Sequence, residues 1–243
     1  MQSVYKQFIQ AKQNQQKLLA ILLDPDKIVF DTLEQSCHKI KLSGATHIFV
    51  GGSTVEDKLT EKVVLSLKQF LNIPIVLFPG NHNQITPYAD ALLFLSLISG
   101  NNPEFLIGQH IKAAPILHNM NLEVIPTSYL LIDGGNTTSV ARVSQTQPIA
   151  QTQPQQILNT VWAGKLLGHQ LTYLEAGSGA KFPIDNQIIN LVSQHLSHPL
   201  IVGGGIKSLS KIKQVHDAGA DIVVIGTAFE QNPNFFDLHT AHE

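Results

Sequence analysis

The stretch LIVGGGIKSLSKIKQVHDAGADIVVIGT (200–227) holds one complete structural unit. Two apolar runs, LIV and IVVI, each end in glycine, and Leu209 to Ala218 between them carries apolar residues at helical spacing. Neither run alternates apolar with polar residues, so each strand is expected to be buried on both faces, as in a parallel sheet. Parallel neighbours need a crossover, and the segment between the runs has the length and pattern of a helix.

The same unit recurs along the chain. Strands are expected at LLAILLD (18–24), HIFVGG (47–52), IVLFPG (75–80), ALLFLSL (91–97), EVIPTSYLLI (123–132) and LTYLEAG (171–177), in addition to the two above. Helical spacing is found over 32–42, 60–71, 103–119, 154–167 and 186–196. Eight strands with intervening helices predict an α/β fold, a single (β/α)8 TIM-type barrel over 1–243; a doubly wound sheet is the alternative. One interval is short. NHNQITPYAD (81–90) leaves no room for a crossover helix after the third strand. VSQTQPIAQTQPQ (143–155) is expected to be a long loop, and Asp133-Gly134-Gly135-Asn136 reads as a hairpin turn.

Composition narrows the function. With 243 residues, 43% of them hydrophobic, the chain can bury one large core. A net charge of −2 and a single arginine, Arg142, leave no basic stripe for nucleic acid. The longest apolar stretches, such as ALLFLSLIS (91–99), are about half of the ~20 residues that a membrane-spanning helix needs. The N-terminal stretch is polar and amphipathic, unlike a signal peptide, and Cys37 is expected to be reduced and buried in a helix. A cytoplasmic protein is the expectation.

Barrel chemistry sits at the C-terminal ends of strands. The last two strands end in Gly203-Gly204-Gly205 and Gly226-Thr227, where bare backbone N–H groups can approach an anion, so a phosphorylated small molecule is expected there. Strand six places Tyr173 and Glu175 two residues apart on one face. A carboxylate repels phosphate, so Glu175 should face hydroxyl groups of the same ligand, as acceptor or general base, with Tyr173 adding a hydrogen bond. The alternative is a Glu–Lys pair inside the barrel. Asp24 and Asp26 close the first strand, and Ser53 and Thr54 the second. They either cap the following helices or contribute to a Mg²⁺ site completed by substrate phosphates and water. His82, in the NHN turn, reads as a surface residue.

These motifs together resemble the geranylgeranylglyceryl phosphate synthase family. The likeness rests on LLDPDK (22–27), VGGST (50–54), FPGN (78–81), YLEAGSGA (173–180), GGGI (203–206) and IGTAFE (225–230), in this order, and extends over LSLISGNNPEF (95–105) and GGNTTSVARVS (134–144). The resemblance implies a modified barrel with the helix after strand three missing or replaced. It implies a Mg²⁺-assisted prenyltransferase that joins the 3-hydroxyl of sn-glycerol 1-phosphate to a polyprenyl diphosphate, geranylgeranyl by the family's name, in ether-lipid synthesis. By motif, Asp24 and Ser53 would bind Mg²⁺. Tyr173, Leu174, Glu175, Ala176, Gly177, Ser178, Gly179, Gly204, Gly205, Gly226 and Thr227 would hold the glycerol phosphate, with Glu175 and Tyr173 catalytic. A homo-oligomer with peripheral membrane contact belongs to the same expectation. Phe78, Tyr129 and the FLSLIS segment (94–99) are candidates for lining a prenyl groove. Where members often carry a basic residue in a proline-rich loop, this chain reads PIAQTQP (148–154), with glutamines. Other expectations compatible with the glycine loops are a barrel isomerase or aldolase and a non-catalytic phosphate-ligand binding protein. A Schiff-base aldolase would need a lysine within a strand, and none of the eight runs has one.

Overall fold

The computed structural model describes residues 3–236. Eight strands run β1 Leu18–Leu23, β2 His47–Val50, β3 Ile75–Leu77, β4 Ala91–Leu97, β5 Glu123–Leu131, β6 Leu171–Glu175, β7 Leu200–Gly203 and β8 Ile222–Ile225. All neighbours pair in parallel, and β8 closes on β1 through Leu18↔Ile222 to Ile21↔Ile225, so the sheet is a closed barrel. Sequence and structure agree on every strand; Gly203 pairs within β7, while Gly51, Gly80, Gly177 and Gly226 fall beyond their strands as loop residues.

Alternation along each strand builds two apolar layers. Leu171 and Tyr173 point inward with Phe49, Leu93 and Ile201, whereas Leu174 points outward into the layer beneath the helices with Val161 and Ile189. The outer helices are α2 Leu33–Leu42, α3 Leu59–Phe70, α4 Gln109–His118, α6 Pro154–Leu166, α7 Asn186–Gln194 and α8 Leu209–Asp217. Cys37 lies buried in α2, as expected. A π turn, Glu104–Gly108, precedes α4, and between β3 and β4 there is only a 3-10 turn, His82–Gln84, in place of a helix. No helix among the described residues is long and apolar enough to cross a membrane.

Three further helices close the two ends of the barrel. At the N-terminal end of the strands, α1 Val4–Gln13 presses Val4, Phe8 and Ala11 into the inner layer. Glu123, at the start of β5, accepts from the backbone N–H of Val4 at 2.6 Å and of Tyr5 at 3.0 Å, which fixes the otherwise unpaired start of that helix. At the other end, α5 Ser139–Ser144 crosses the mouth, and a last turn, α9 Thr227–Gln231, follows β8.

Two loop expectations are corrected. Asp133–Asn136 is no hairpin turn: the chain leaves β5 without reversing, Asp133 Oδ1 accepts the Gly135 N–H at 2.8 Å, and Thr138 then caps α5. The segment 143–155 is not one loop either. Its start finishes α5, Ile149 bridges Ile132 in parallel, and Pro154 opens α6.

Candidate functional site

The C-terminal end of the barrel opens into a cavity of about 520 Å³. Its polar half is built by β6, β7 and β8. Glu175 ends β6 facing inward, 5% exposed, and its Oε1 accepts the Gly177 N–H at 2.6 Å. Among the described residues no lysine pairs with it, so the Glu–Lys alternative is set aside. Burial pushes the Glu175 carboxyl up to about 7, and the Gly177 N–H and the Tyr173 hydroxyl pull against that rise. Tyr173 is fully buried one pleat below. Its hydroxyl lies near enough to Glu175 to perturb it but outside hydrogen-bonding geometry with any described group. A buried hydroxyl of this kind calls for a polar partner.

The glycines make room for these two side chains. A Cβ on Gly203 would lie 2.5 Å from Tyr173 Oη, and one on Gly204 would lie 2.5 Å from Glu175 Oε1. Gly204 and Gly205 take φ of +86° and +68°, which only glycine adopts readily. Opposite them, Ser178 Oγ and Thr227 Oγ1 are 2.9 Å apart, so the β6 loop and the β8 end meet at hydroxyls. The floor is aromatic. Tyr129 meets Tyr173 edge-on with centroids 5.4 Å apart, and Phe78 lies 5.6 Å from Tyr129 and 5.3 Å from Tyr173.

At the ends of β1 and β2, Asp24 faces the same cavity beside Gly52 and Ser53. Asp24 Oδ1 accepts from the Asp26 N–H at 3.2 Å, so it does cap the turn Pro25–Lys27. Its other oxygen remains 3.4 Å from Lys27 Nζ, which bridges to Glu230 at 2.8 Å. Glu230 also accepts the Asp24 N–H at 3.2 Å. The motif IGTAFE contains Glu230, which carried no expectation because its partners Asp24 and Lys27 lie about 200 positions away. Among the described residues no three acidic, histidine or cysteine side chains cluster as a metal cage. One carboxylate with a serine hydroxyl suits instead a hard cation that keeps water and substrate oxygens in its shell, as Mg²⁺ does. The donor set thus fits Mg²⁺.

The other half of the cavity is apolar. Phe94, Leu95, Leu97 and Phe105 line it, alongside Phe78 and Tyr129. His110 packs edge-on against Phe94 at 4.3 Å and contacts Ser96 Oγ through Nε2 at 3.2 Å. His82, expected at the surface, instead lines the cavity half-buried, its ring held by Gln109 Oε1 at 2.9 Å. That contact depends on α4 packing over the 3-10 turn, which local sequence does not reveal. The glutamine at 151 is structural: its amide donates to Asp133 O at 2.8 Å and accepts the Asp185 N–H at 2.7 Å.

Of the residues singled out in the sequence, the structure brings Asp24, Ser53, Tyr173, Glu175, Gly177, Ser178, Gly179, Gly204, Gly205, Gly226 and Thr227 to this one cavity. Leu174 and Ala176 do not line it; their side chains belong to the outer layer, so they can meet a ligand only through backbone. Arg142 and Lys207, which carried no expectation, do line it.

Residues 11–241 match the family described as PcrB. The geranylgeranylglyceryl phosphate synthase of Flavobacterium johnsoniae is 54% identical over 235 residues, covering 97% of both chains. The enzyme of that name from Thermococcus kodakarensis is 39% identical over 225 residues, covering 92% of this chain and 88% of its own. Among solved structures, (S)-3-O-geranylgeranylglyceryl phosphate synthase from Thermoplasma acidophilum, in complex with its substrate sn-glycerol-1-phosphate, superposes with a TM-score of 0.91 at 30% identity, covering 98% of this chain and 95% of that one.

Proposed function

The chain belongs to the PcrB family, and we propose that it is a prenyltransferase that joins the 3-hydroxyl of sn-glycerol 1-phosphate to geranylgeranyl diphosphate. The observation that carries this reading is one cavity with two chemically distinct halves. The glycine loops and Glu175 suit a small polyol phosphate, and the Phe94–Phe105 half suits a hydrocarbon tail.

Backbone N–H groups at Gly204, Gly205 and Thr227 bind the phosphate, and the Glu175 carboxylate, kept off the phosphate, accepts the glycerol hydroxyl. Holding that oxygen beside the allylic C1 makes the encounter intramolecular. In the transfer, the glycerol O3–C1 bond forms and the C1–O bond to diphosphate breaks. Diphosphate leaves with the bonding pair, and the hydroxyl proton passes to Glu175. A group titrating at about 7 is suited to take a proton near neutral pH. Tyr173 supplies the second hydrogen bond to the polyol, which gives its buried hydroxyl a partner. Asp24 and Ser53 would hold Mg²⁺, which neutralises charge on the departing diphosphate. The aromatic floor of Phe78, Tyr129 and Tyr173 keeps water from the reacting carbon.

None of the eight described strands contains a lysine, the position that a Schiff-base aldolase would need. The test is to incubate the protein with Mg²⁺, geranylgeranyl diphosphate and sn-glycerol 1-phosphate, and to follow diphosphate release and product mass. Release that requires glycerol 1-phosphate, with the ether as product, is expected. Tight binding of glycerol 1-phosphate without turnover would instead make the chain a binding protein.

A further inference from the structure

Resting on that reading, we propose that Arg142 binds the diphosphate of the prenyl donor. The donor changes from hydrocarbon to polyanion at a single carbon, so its head must lie where the two halves of the cavity meet. Helix α5 spans that seam. At its start the capping Thr138, 4% exposed, packs so tightly on Gly177 of the β6 loop that a Cβ there would overlap it. At its end Ser144 O accepts Asn102 Nδ2 at 2.8 Å, and Thr146 packs on Gly100, both beyond β4 on the apolar side. Val140 and Ala141 seat the helix on the inner layer. Arg142 lies between these two anchors, exposed, and lines the cavity.

The other cations of the cavity are occupied or placed elsewhere. Lys27 is paired with Glu230 at 2.8 Å and Asp24 at 3.4 Å. His82 is held by Gln109. Lys207 lies two residues after the β7 glycines, at the glycerol phosphate end. The guanidinium of Arg142 has no ion pair among the described residues, and the chain has no other arginine. A guanidinium fork matches two phosphate oxygens at once, which an ammonium cannot do. In the loop before α6, Gln151 is committed to backbone, so the cation at the seam comes from α5.

The experiment titrates inorganic pyrophosphate, with Mg²⁺ present, and separately sn-glycerol 1-phosphate into the intact protein and into R142Q and R142K by calorimetry, beside steady-state KM values for both substrates. In R142Q, pyrophosphate affinity and the KM for geranylgeranyl diphosphate should worsen on the order of 10- to 100-fold, the worth of one charge-assisted contact. Glycerol 1-phosphate affinity should stay unchanged, which also shows that the variant is folded. R142K should recover part of the loss. Unchanged pyrophosphate affinity in R142Q of an active enzyme overturns the assignment alone, and an equal loss for glycerol 1-phosphate overturns it by placing Arg142 at the other substrate. A wild-type protein that makes no prenyl ether overturns the activity as well.

Discussion

At Glu175, burial and hydrogen bonding act in opposite directions, and burial dominates, holding the carboxyl near 7 instead of its ordinary 4.5. Only the ionised form can accept the glycerol proton. The single-turnover rate should therefore rise with pH through about 7 and level off above it. Glu175→Gln should flatten that rise and slow the chemical step while leaving glycerol 1-phosphate affinity largely intact. A pH profile unchanged in the variant would remove Glu175 from proton transfer. Asp24 separates charge from shape. Because its Oδ1 caps the Asp26 N–H, Asp24→Asn keeps the cap and should leave unfolding free energy within about 0.5 kcal/mol. Turnover should nonetheless fall at least about 10²-fold, roughly 2.7 kcal/mol of barrier, as Mg²⁺ is lost. Near-normal turnover would leave Asp24 as a cap only. Metal and cap could not be separated in the sequence because the same short side chain after a strand suits either role; the structure shows the cap.

Among the elements, the legible ones were those whose pattern is their own. Most strands are runs of apolar residues because both their faces are buried, and the glycines after β6 and β7 mark where another group comes close. Helices α1 and α5 were not legible as elements because neighbours far along the chain hold them. α1 shows only Val4, Phe8 and Ala11 on one face of a polar segment, and its start is fixed by Glu123, more than a hundred residues on. α5 has six residues, too few to nucleate alone, and depends on Gly177 and Asn102. The hairpin reading of Asp133–Asn136 failed for a related reason: turn residues serve equally to end a strand before a helix cap. α1 offers a clean test of barrel closure. Phe8 is fully buried against the His47 ring at 4.9 Å, so Phe8→Ala should cost about 3–5 kcal/mol in urea unfolding. Both substrate KM values should hold at temperatures where the variant stays folded, because α1 lies at the end of the barrel opposite the cavity.

At the scale of the whole molecule, buried titratable groups at the two ends of the barrel oppose each other. His47 and His198 are pushed down to about 4 by burial, so the unfolded chain binds their protons first and stability falls as pH drops below 6.5 toward 4. Glu175 does the reverse. Its folded form holds a proton between 4.5 and about 7 that the unfolded chain has lost, so it adds stability as pH falls through that window. Glu175→Gln removes the compensation, and its loss of unfolding free energy from pH 7 to pH 5 should exceed that of the wild type. Equal losses would mean that Glu175 is ionised in the folded protein well below neutrality. The most direct test of the site as a whole is a crystal structure with sn-glycerol 1-phosphate bound. The phosphate is predicted on the backbone N–H groups of Gly204, Gly205 and Thr227, with a glycerol hydroxyl on Glu175 and another in reach of Tyr173 Oη. A phosphate bound at Asp24 and Lys27, with the glycerol turned away from Glu175, would contradict the account.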